Sequence, residues 1–157
     1  MRKKIVNPNT PAQAADTTKW LDLAIIAQVE ISSEDEGYPI EAALSPGNGA
    51  GWRAAQSGTQ TIRILFDEPQ RVRRIQLEFA EPSGVERSQE FCLSAASGAG
   101  QPYREIVRQQ YNFSTDSRTE KENYTVDLQN VLALELVITP DRSGGGARAS
   151  LGKMRVA

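Results

Sequence analysis

The chain contains no histidine, and its 157 residues include a single cysteine. Without histidine there is no Ser-His-Asp or Cys-His triad, no histidine-ligated zinc and no imidazole acid or base near neutral pH. Cys92 alone cannot form an intramolecular disulfide, which excludes a disulfide-stabilised scaffold. Any chemistry carried by this chain must therefore use carboxylates, lysine, tyrosine or the lone thiol.

Long apolar runs and an excess of positive charge are also missing. No run approaches the ~20 apolar residues of a membrane span, and the apolar stretch that follows Met1–Lys4 is too short for a signal peptide. The 18 basic residues are mixed with 20 acidic ones and the net charge is -2, so the basic surface typical of nucleic-acid-binding proteins is absent. We therefore expect a soluble, cytoplasmic protein without a membrane span and without nucleic-acid partners.

What the chain does contain is a series of short segments in which apolar and polar residues alternate. Ile62, Ile64 and Phe66 are the first clear example, and the pattern recurs over residues 75–79 and 132–138. A period of two places such side chains on one face of a strand. Because Pro, Gly, Asp and Ser separate the segments, the pattern predicts two β-sheets packed face to face.

The length and the even composition predict one domain. Residues 1–17 are rich in Asn, Pro and small residues, which is typical of a flexible N-terminal arm, and residues 18–157 form the predicted β-sandwich. A helical turn is expected at 40–44 and a short extended piece around Trp52, and residues 17–27 could begin as a helical turn. The predicted strands cover residues 24–32, 60–67, 72–80, 87–95, 104–113, 120–127, 131–139 and 149–156.

The order of the strands predicts which loops share an end of the sandwich. If successive strands reverse direction, residues 33–59, 81–86, 114–119 and 140–148 lie together at one end. Both termini lie at the other end with the remaining connections. Because the first end carries the longer and more polar loops, we expect a binding site there.

Eight side chains at that end are candidates for ligand contacts. Tyr38 could supply a platform for a sugar ring, and carboxylate–arginine pairs could orient sugar hydroxyls or bind the charges of a protein partner. A solvated acidic loop with ordinary surface ion pairs and turn-forming aspartates, such as Asp141, explains the same residues. The candidates are Glu34, Asp35, Tyr38, Glu86, Arg87, Asp116, Arg118 and Arg142.

Other conspicuous residues are expected to be structural. Trp20 and Trp52 are expected to pack against or within the core, and Cys92 lacks the neighbouring positive charge that activates a thiol. The glycines at 144–146 lack the Gly-Lys-Ser/Thr ending of a phosphate-binding loop.

A glycoside hydrolase needs two carboxylates at a defined separation, and no such pair is marked in the sequence. We therefore predict a protein without catalytic residues.

Several segments carry a likeness to a known domain, namely Val29–Ser33, Ala42–Leu44, Gly51–Arg53, Thr61–Pro69, Val72–Leu77, Leu134–Pro140 and Leu151–Val156. Together they resemble the coagulation-factor type C, or discoidin, domain. The resemblance covers roughly residues 26 to 156. It implies an eight-stranded antiparallel jelly-roll β-sandwich of the galactose-binding-like superfamily, all-β, that binds glycans, lipid head groups or proteins through loops away from the termini.

The chain departs from this family at a position linked to metal binding. Many sugar-binding members carry Asp-Gly-Asn before the tryptophan, often linked to a structural calcium. This chain has Ser45-Pro46-Gly47-Asn48 there, so the carboxylate that a hard cation prefers is missing. We therefore predict no metal and no other cofactor.

Two functional hypotheses follow. The first is a non-catalytic binding module that recognises a carbohydrate through loops at the end opposite the termini. The alternative is an intracellular protein–protein interaction domain on the same scaffold. The absence of an export signal and of disulfides favours the second, and the scarcity of aromatic residues in the loops weakens the first, so the residues alone leave both open.

Overall fold

A computed structural model describes residues 3, 19–47, 49–98 and 100–157. The predicted N-terminal arm, residues 1–17, therefore lies outside the described residues except for Lys3. Two single-turn helices accompany the strands, α1 (Leu23–Ile26) and α2 (Glu41–Leu44), and no helix in the described ranges is long and apolar enough to cross a membrane. The strands are β1 (Ala27–Ile31), β2 (Trp52–Ser57), β3 (Gln60–Ala80), β4 (Arg87–Ala96), β5 (Arg104–Phe113), β6 (Thr119–Thr139), β7 (Arg148–Leu151) and β8 (Lys153–Val156).

All the strand pairs are antiparallel, and they form one large and one small hydrogen-bonded sheet. The large sheet has the order β1-β3-β6-β4-β5, with β8 also paired to β3, and the small sheet contains β2 and β7. The strands β3 and β6 have 21 residues each. They form one long ribbon in which Gln60 lies opposite Ile138 and Ala80 lies opposite Thr119.

This ribbon folds back over itself and so creates the two layers of the sandwich. The ring of Phe79, near the end of β3, stacks on Phe91 of β4 with 5.1 Å between centroids. Phe91 pairs with Ile138, which pairs with Gln60 at the start of β3. The two ends of β3 therefore face each other, although an extended strand of this length would span about 70 Å.

The fold in the ribbon is produced by bulges. The β3–β6 register shifts three times between Leu65 and Arg74. Extra residues in one strand bend and twist it locally, and Pro69, which has no amide hydrogen to donate, is tolerated there. The bulges also change which positions point inward. Before them even-numbered residues such as Ile64 are buried, and after them odd-numbered residues such as Ile75 are buried.

The fold prediction is confirmed as an all-β jelly-roll sandwich, but the predicted strand boundaries need correction. The predicted turns at 68–71 and 128–130 are bulged bends within the continuous strands β3 and β6. The predicted last strand, 149–156, is divided at Gly152 into β7 and β8, which pair with different partners. The alternative helical turn near the N-terminus and the turn at 40–44 correspond to α1 and α2.

One continuous core fills the space between the layers. Trp52 is 1% exposed and lies within it, as the sequence predicts. Trp20 lies outside, where its ring contacts the guanidinium groups of Arg74 and Arg155. The largest buried side chains are Trp52, Phe79, Phe91, Phe113, Leu23, Ile62, Ile64, Ile75, Leu77, Leu93, Leu134 and Leu136.

The chain end and the long loops lie at opposite ends of the sandwich. The carbonyl of the C-terminal Ala157 accepts hydrogen bonds from Arg73 and Arg74, which lie beside the bend of β3. At the far end, Glu81 N donates to Arg118 O over 2.8 Å, and Arg142 N donates to Ser88 O over 2.8 Å. The loops after β3, β5 and β6 therefore meet at the end predicted from the strand order.

Gly51 allows the chain to enter β2 in close contact with β7. Its φ of 81° lies in the left-handed region, and a Cβ atom there would collide with Leu151 O and approach Gly152 Cα to 2.7 Å. Gly58 has a similar φ of 89° but nothing within 4 Å of the equivalent position. The two glycines thus separate the effect of backbone conformation from the effect of crowding.

We predict that Gly51→Ala lowers the free energy of unfolding by roughly 3 kcal/mol or more, because backbone strain adds to a collision with main-chain atoms. The matched variant Gly58→Ala carries only the conformational cost, about 1 kcal/mol. Urea unfolding of both variants measures the difference. Equal losses would show that the close approach of Gly51 to β7 is not a constraint.

Candidate functional site

The long loop between β1 and β2 is anchored to the sandwich by a buried glutamine and by Trp52. Gln60 is 5% exposed, and its Oε1 accepts hydrogen bonds from Ser32 Oγ at 2.7 Å and Ser33 Oγ at 2.6 Å. The indole Nε1 of Trp52 donates to Ser33 O over 3.1 Å. The loop therefore leaves the sandwich from a fixed point.

Tyr38 is held beside Arg53 by the backbone of the same loop. Asp35 N donates to Arg53 O over 2.9 Å, and Arg53 N donates to Tyr38 O over 3.2 Å. Since Trp52 and Ala54 point into the core, strand alternation turns Arg53 outward. Its guanidinium carbon lies 5.9 Å from the centroid of the half-buried Tyr38 ring, a cation–π arrangement.

These two side chains lie in a cleft of about 740 Å³ that we term the loop-end cleft. It lies between the β1–β2 loop, the β3–β4 loop, the β6–β7 loop and the sheet of β2 and β7. Tyr38, Arg53 and Arg148 line the side formed by the β1–β2 loop, β2 and β7. Residues within 80–87 and Asp141 line the other side of the cleft. Its polar and large lining residues include Tyr38, Arg53, Glu81, Val85, Asp141 and Arg148.

Arg87, one of the predicted contact residues, is instead largely engaged in contacts within the protein. Its side chain is 3% exposed and its Nε donates to Glu81 Oε1 over 2.9 Å. Its Nη1 donates to Pro140 O over 2.7 Å, and its guanidinium lies 4.4 Å from the centroid of the Phe113 ring. Arg87 therefore ties the β3–β4 and β6–β7 loops together and has little surface left for a ligand.

Two other predicted residues, Glu86 and Arg142, line a second hollow of about 650 Å³ beside the cleft. The two hollows share Arg87 and Asp141. Arg142 is half exposed, but it pairs with Glu90 at 3.2 Å and donates to Gln110 Oε1 over 2.5 Å. Its positive charge is thus already matched within the protein.

The remaining predicted residues shape the loops. Glu34 Oε1 accepts a hydrogen bond from Ile40 N at 2.7 Å, and Asp35 pairs with Arg148 at 3.5 Å. Arg118 donates to Pro82 O over 3.1 Å and so links the β5–β6 turn to the β3–β4 loop. Asp116 is exposed on that turn and lines neither hollow. The structure thus places only Tyr38 and Arg87 in the loop-end cleft.

Sequence reasoning missed Arg53 and Arg148, the two exposed arginines of the cleft. Arg53 could have been found from strand alternation once Trp52 was assigned to the core. Arg148 had no such signal, because its position depends on the pairing of β7 with β2, two strands about 90 residues apart in the chain.

The carboxylates that line the cleft are bonded within the protein. Glu81 Oε2 accepts from Ser83 Oγ at 2.7 Å, and Asp141 Oδ1 accepts from Ser143 Oγ at 2.8 Å. Although burial opposes it, the hydrogen bonds from Ser83 and Arg87 hold the pKa of Glu81 below its usual value. The bonds from Ser143 lower the pKa of Asp141. Both groups are therefore ionised at neutral pH.

Comparisons with known proteins identify the fold. No family model and no curated protein sequence matches the chain. Among solved structures, it is similar to the family 32 carbohydrate-binding module of AlyQ in complex with 4,5-unsaturated mannuronic acid, with 16% identity, a TM-score of 0.64 and coverage of 89% of this chain and 98% of that one. The fold is the galactose-binding-like sandwich.

Two further solved structures show the same likeness. The family 32 module of NanJ from C. perfringens, in complex with galactose, has 15% identity and a TM-score of 0.61 over 87% of this chain and 96% of that one. A pectin-binding carbohydrate-binding module has 15% identity and a TM-score of 0.59 over 83% and 89% of the two chains. At these identities the likeness establishes the fold and leaves the ligand open.

The loop that precedes Gly51 does not fit the calcium that the family resemblance implies. The ammonium of Lys153 donates to Ser45 O and to Gly47 O, each over 2.7 Å, and Lys153 is 9% exposed. These are carbonyl oxygens of the kind that calcium binds. No group of three metal-ligating side chains occurs among the described residues. The ammonium group of Lys153 therefore already binds these loop carbonyls. The absence of a metal remains a prediction.

We expect that adding a chelator or excess calcium leaves the melting temperature unchanged, because Lys153 already satisfies the loop carbonyls. Lys153→Met should lower the free energy of unfolding by about 3 kcal/mol, since two carbonyls lose charge-assisted hydrogen bonds. Lys121→Met, at an exposed position, is the control and should change it by less than about 0.5 kcal/mol. A calcium-dependent rise in the melting temperature of the unaltered protein would contradict this assignment.

A buried carboxyl group, that of Glu120, is connected to Arg87 of the cleft through Gln89. Glu120 is 1% exposed, and Gln89 Nε2 donates to its Oε1 over 3.2 Å. Gln89 also accepts a hydrogen bond from Arg87. Burial raises the pKa of Glu120 to about 8; the neighbouring Glu122 carboxylate adds to the effect, and Gln89 and Arg87 oppose it. Glu120 therefore keeps its proton at neutral pH.

The shifted pKa of Glu120 makes stability depend on pH. Between about pH 4.5 and 8 the folded chain retains a proton that the unfolded chain releases, so the stability should fall as the pH rises through this range. We predict that Glu120→Gln is more stable than the unaltered protein by on the order of 3 kcal/mol at pH 9 and nearly equal to it below pH 4.5. Urea unfolding across this range measures the effect.

The control for this prediction is Glu86→Gln, which removes the same charge from an exposed position. It should leave the pH dependence of unfolding unchanged. If Glu120→Gln and Glu86→Gln had the same profile, the burial of Glu120 would have no energetic consequence.

Cys92 lies on the outer face of the large sheet and is only partly exposed. Its Sγ donates to Glu105 Oε1 over 3.2 Å. Burial, aided by Glu105, raises the pKa of the thiol. The group is thus held as the neutral thiol, which is the less reactive form.

Proposed function

We propose that this chain is a non-catalytic carbohydrate-binding module and that the sugar binds in the loop-end cleft. The observation that carries the proposal is the arrangement of Tyr38 and Arg53 in that cleft. A sugar presents an apolar ring face and a rim of hydroxyls, so its site needs an aromatic surface beside fixed hydrogen-bond donors. Arg53 lies over the half-buried Tyr38 ring, so the cleft has an aromatic surface and a guanidinium donor side by side.

The anchoring of the cleft supports a binding role. The backbone bonds of Asp35 and Arg53 and the inward contacts of Arg87 fix the surrounding loops before any ligand arrives. Less conformational entropy is then lost on binding. A preformed site on a rigid sandwich is the usual arrangement for small ligands.

The state of the carboxylates supports the absence of catalysis. A glycosidase needs one carboxylic acid with a raised pKa beside a second carboxylate in its cleft. Glu81 and Asp141, which line this cleft, have lowered pKa values. Glu120 has a raised pKa but is 1% exposed and lines neither hollow at this end. The carboxylates of the described cleft thus suit a binding site better than an active site.

The comparisons support the proposal through the ligands of similar folds. The AlyQ module is in complex with 4,5-unsaturated mannuronic acid, the NanJ module with galactose, and a third module is described as pectin-binding. The finer assignment to discoidin domains is our proposal from the sequence segments.

We also propose a cytoplasmic location for the protein, which cell fractionation would test.

We predict that Tyr38→Ala weakens saccharide binding at least about tenfold, because it removes the aromatic surface of the cleft and the contact that orients Arg53. Titration calorimetry with a panel of neutral and acidic mono- and oligosaccharides measures the affinity. The expected melting temperature of the variant is close to that of the unaltered protein, since Tyr38 lies in a surface loop.

The chain contains a matched control for this experiment. Tyr103 lies outside the cleft, and the guanidinium of Arg63 is 5.9 Å from the centroid of its ring, the same distance as in the Tyr38 pair. Tyr103→Ala should therefore retain full affinity. Binding that survives Tyr38→Ala would place the sugar elsewhere, and failure of every saccharide to bind at millimolar concentration would favour the protein-interaction hypothesis.

A further inference from the structure

The charges of the loop-end cleft are divided between its two sides. On the side of the β3–β4 and β6–β7 loops, Glu81 is neutralised by Arg87, and Asp141 is bonded to Ser143. On the side of β2 and β7 the charged lining groups are Arg53 and Arg148. This second side therefore presents positive charge, although the whole chain has a net charge of -2.

Arg53 has no carboxylate within ion-pairing distance among the described residues. Its side chain instead contacts the ring of Tyr38. Arg148 has one weak partner, Asp35, at 3.5 Å, and this pair is exposed, with 43% and 32% of the two side chains accessible. An exposed pair of this kind contributes about 0 to 1 kcal/mol, so Arg148 can exchange its partner at little cost.

The pairing of β2 with β7 brings the two arginines to the same face. Arg53 lies opposite Ser150, and Arg148 precedes Ser150 by two residues. Residues two apart in a strand point to the same side. Trp52 and Ala149 point into the core, so both guanidinium groups extend from the outer face into the cleft.

We propose that the cleft selects an acidic saccharide and that Arg53 and Arg148 receive the carboxylate of a uronic acid residue. This inference rests on the proposed carbohydrate-binding function and adds the chemical class of the ligand. A guanidinium offers only donors, in a planar fork that matches a carboxylate, whereas a neutral hydroxyl gains less from it. The contact with Tyr38 favours this position of the Arg53 guanidinium before binding.

The test compares each neutral sugar with its own uronic acid. Titration calorimetry would use galactose against galacturonic acid, glucose against glucuronic acid and mannose against mannuronic acid, as monosaccharides and as short oligomers. We expect the acidic member of at least one pair to bind about tenfold or more tightly. Its affinity should fall as the salt concentration rises, because partly exposed charges are screened.

Three variants of charged residues then identify the groups responsible. Arg53→Gln and Arg148→Gln should each lower the ratio of the affinity for the acidic sugar to the affinity for its neutral partner about tenfold. Asp35→Asn removes the competing carboxylate from Arg148 and should increase the affinity for the acidic sugar. Arg142→Gln is the control, because Arg142 lies in the second hollow and is already paired with Glu90.

The outcomes separate this inference from the proposed function. Equal affinity for a neutral sugar and its uronic acid, with both lost in Tyr38→Ala, would overturn the acidic preference and leave the carbohydrate-binding function standing. An equal loss in Arg142→Gln would show general attraction to charge and would also overturn it. If no saccharide of either kind binds, both proposals fail.

Discussion

The folding of one β-ribbon over itself is the constraint on which the rest of this structure depends. β3 and β6 remain paired through the bend, so the same two strands supply neighbouring positions in both layers. Bulges between Leu65 and Arg74 make the bend. They also change the buried positions of β3 from even-numbered to odd-numbered residues. Without that switch, the apolar residues of one half of β3 would face the solvent. The stacking of Phe79 on Phe91 is the contact that this geometry makes available.

The position of the loop-end cleft follows from the same bend. Because each half of the ribbon ends at the pole away from the C-terminus, the loops after β3, β5 and β6 meet there. Arg87 then joins two of them through Glu81 and Pro140 O. A buried arginine of this kind is costly to desolvate, and its hydrogen bonds offset that cost only when the surrounding groups are well placed. Part of the cleft is thus shaped by Arg87, which has little surface left for a ligand.

Local patterns in the sequence predicted which side chains face the core, and they failed where pairing between distant segments decides the outcome. The alternation at Ile62 and at Ile75 correctly identifies buried faces, since the period of two is a property of the strand itself. The segment 67–70 has the composition of a turn, but it is also the composition of a bulged corner in a continuous strand. Which of these occurs depends on β6, about 60 residues away.

The residues that line the loop-end cleft were predicted only in part, for the same reason. Tyr38 could be identified because an aromatic residue in a polar loop is conspicuous, and the strand order placed its loop at the correct end. Arg87 was predicted to contact a ligand, yet contacts from two other loops bury it. Arg148 reaches the cleft only through the pairing of β7 with β2. A sequence pattern carries no information about such partners.

The ammonium of Lys153 between the carbonyls of Ser45 and Gly47 has a consequence for how this loop responds to its surroundings. A bound ion obeys mass action, so its occupancy follows its free concentration and it leaves at some finite rate. A cation covalently attached to β8 has no dissociation equilibrium with the medium. The two carbonyls therefore have a cationic partner whose presence does not depend on the concentration of any ion in the medium.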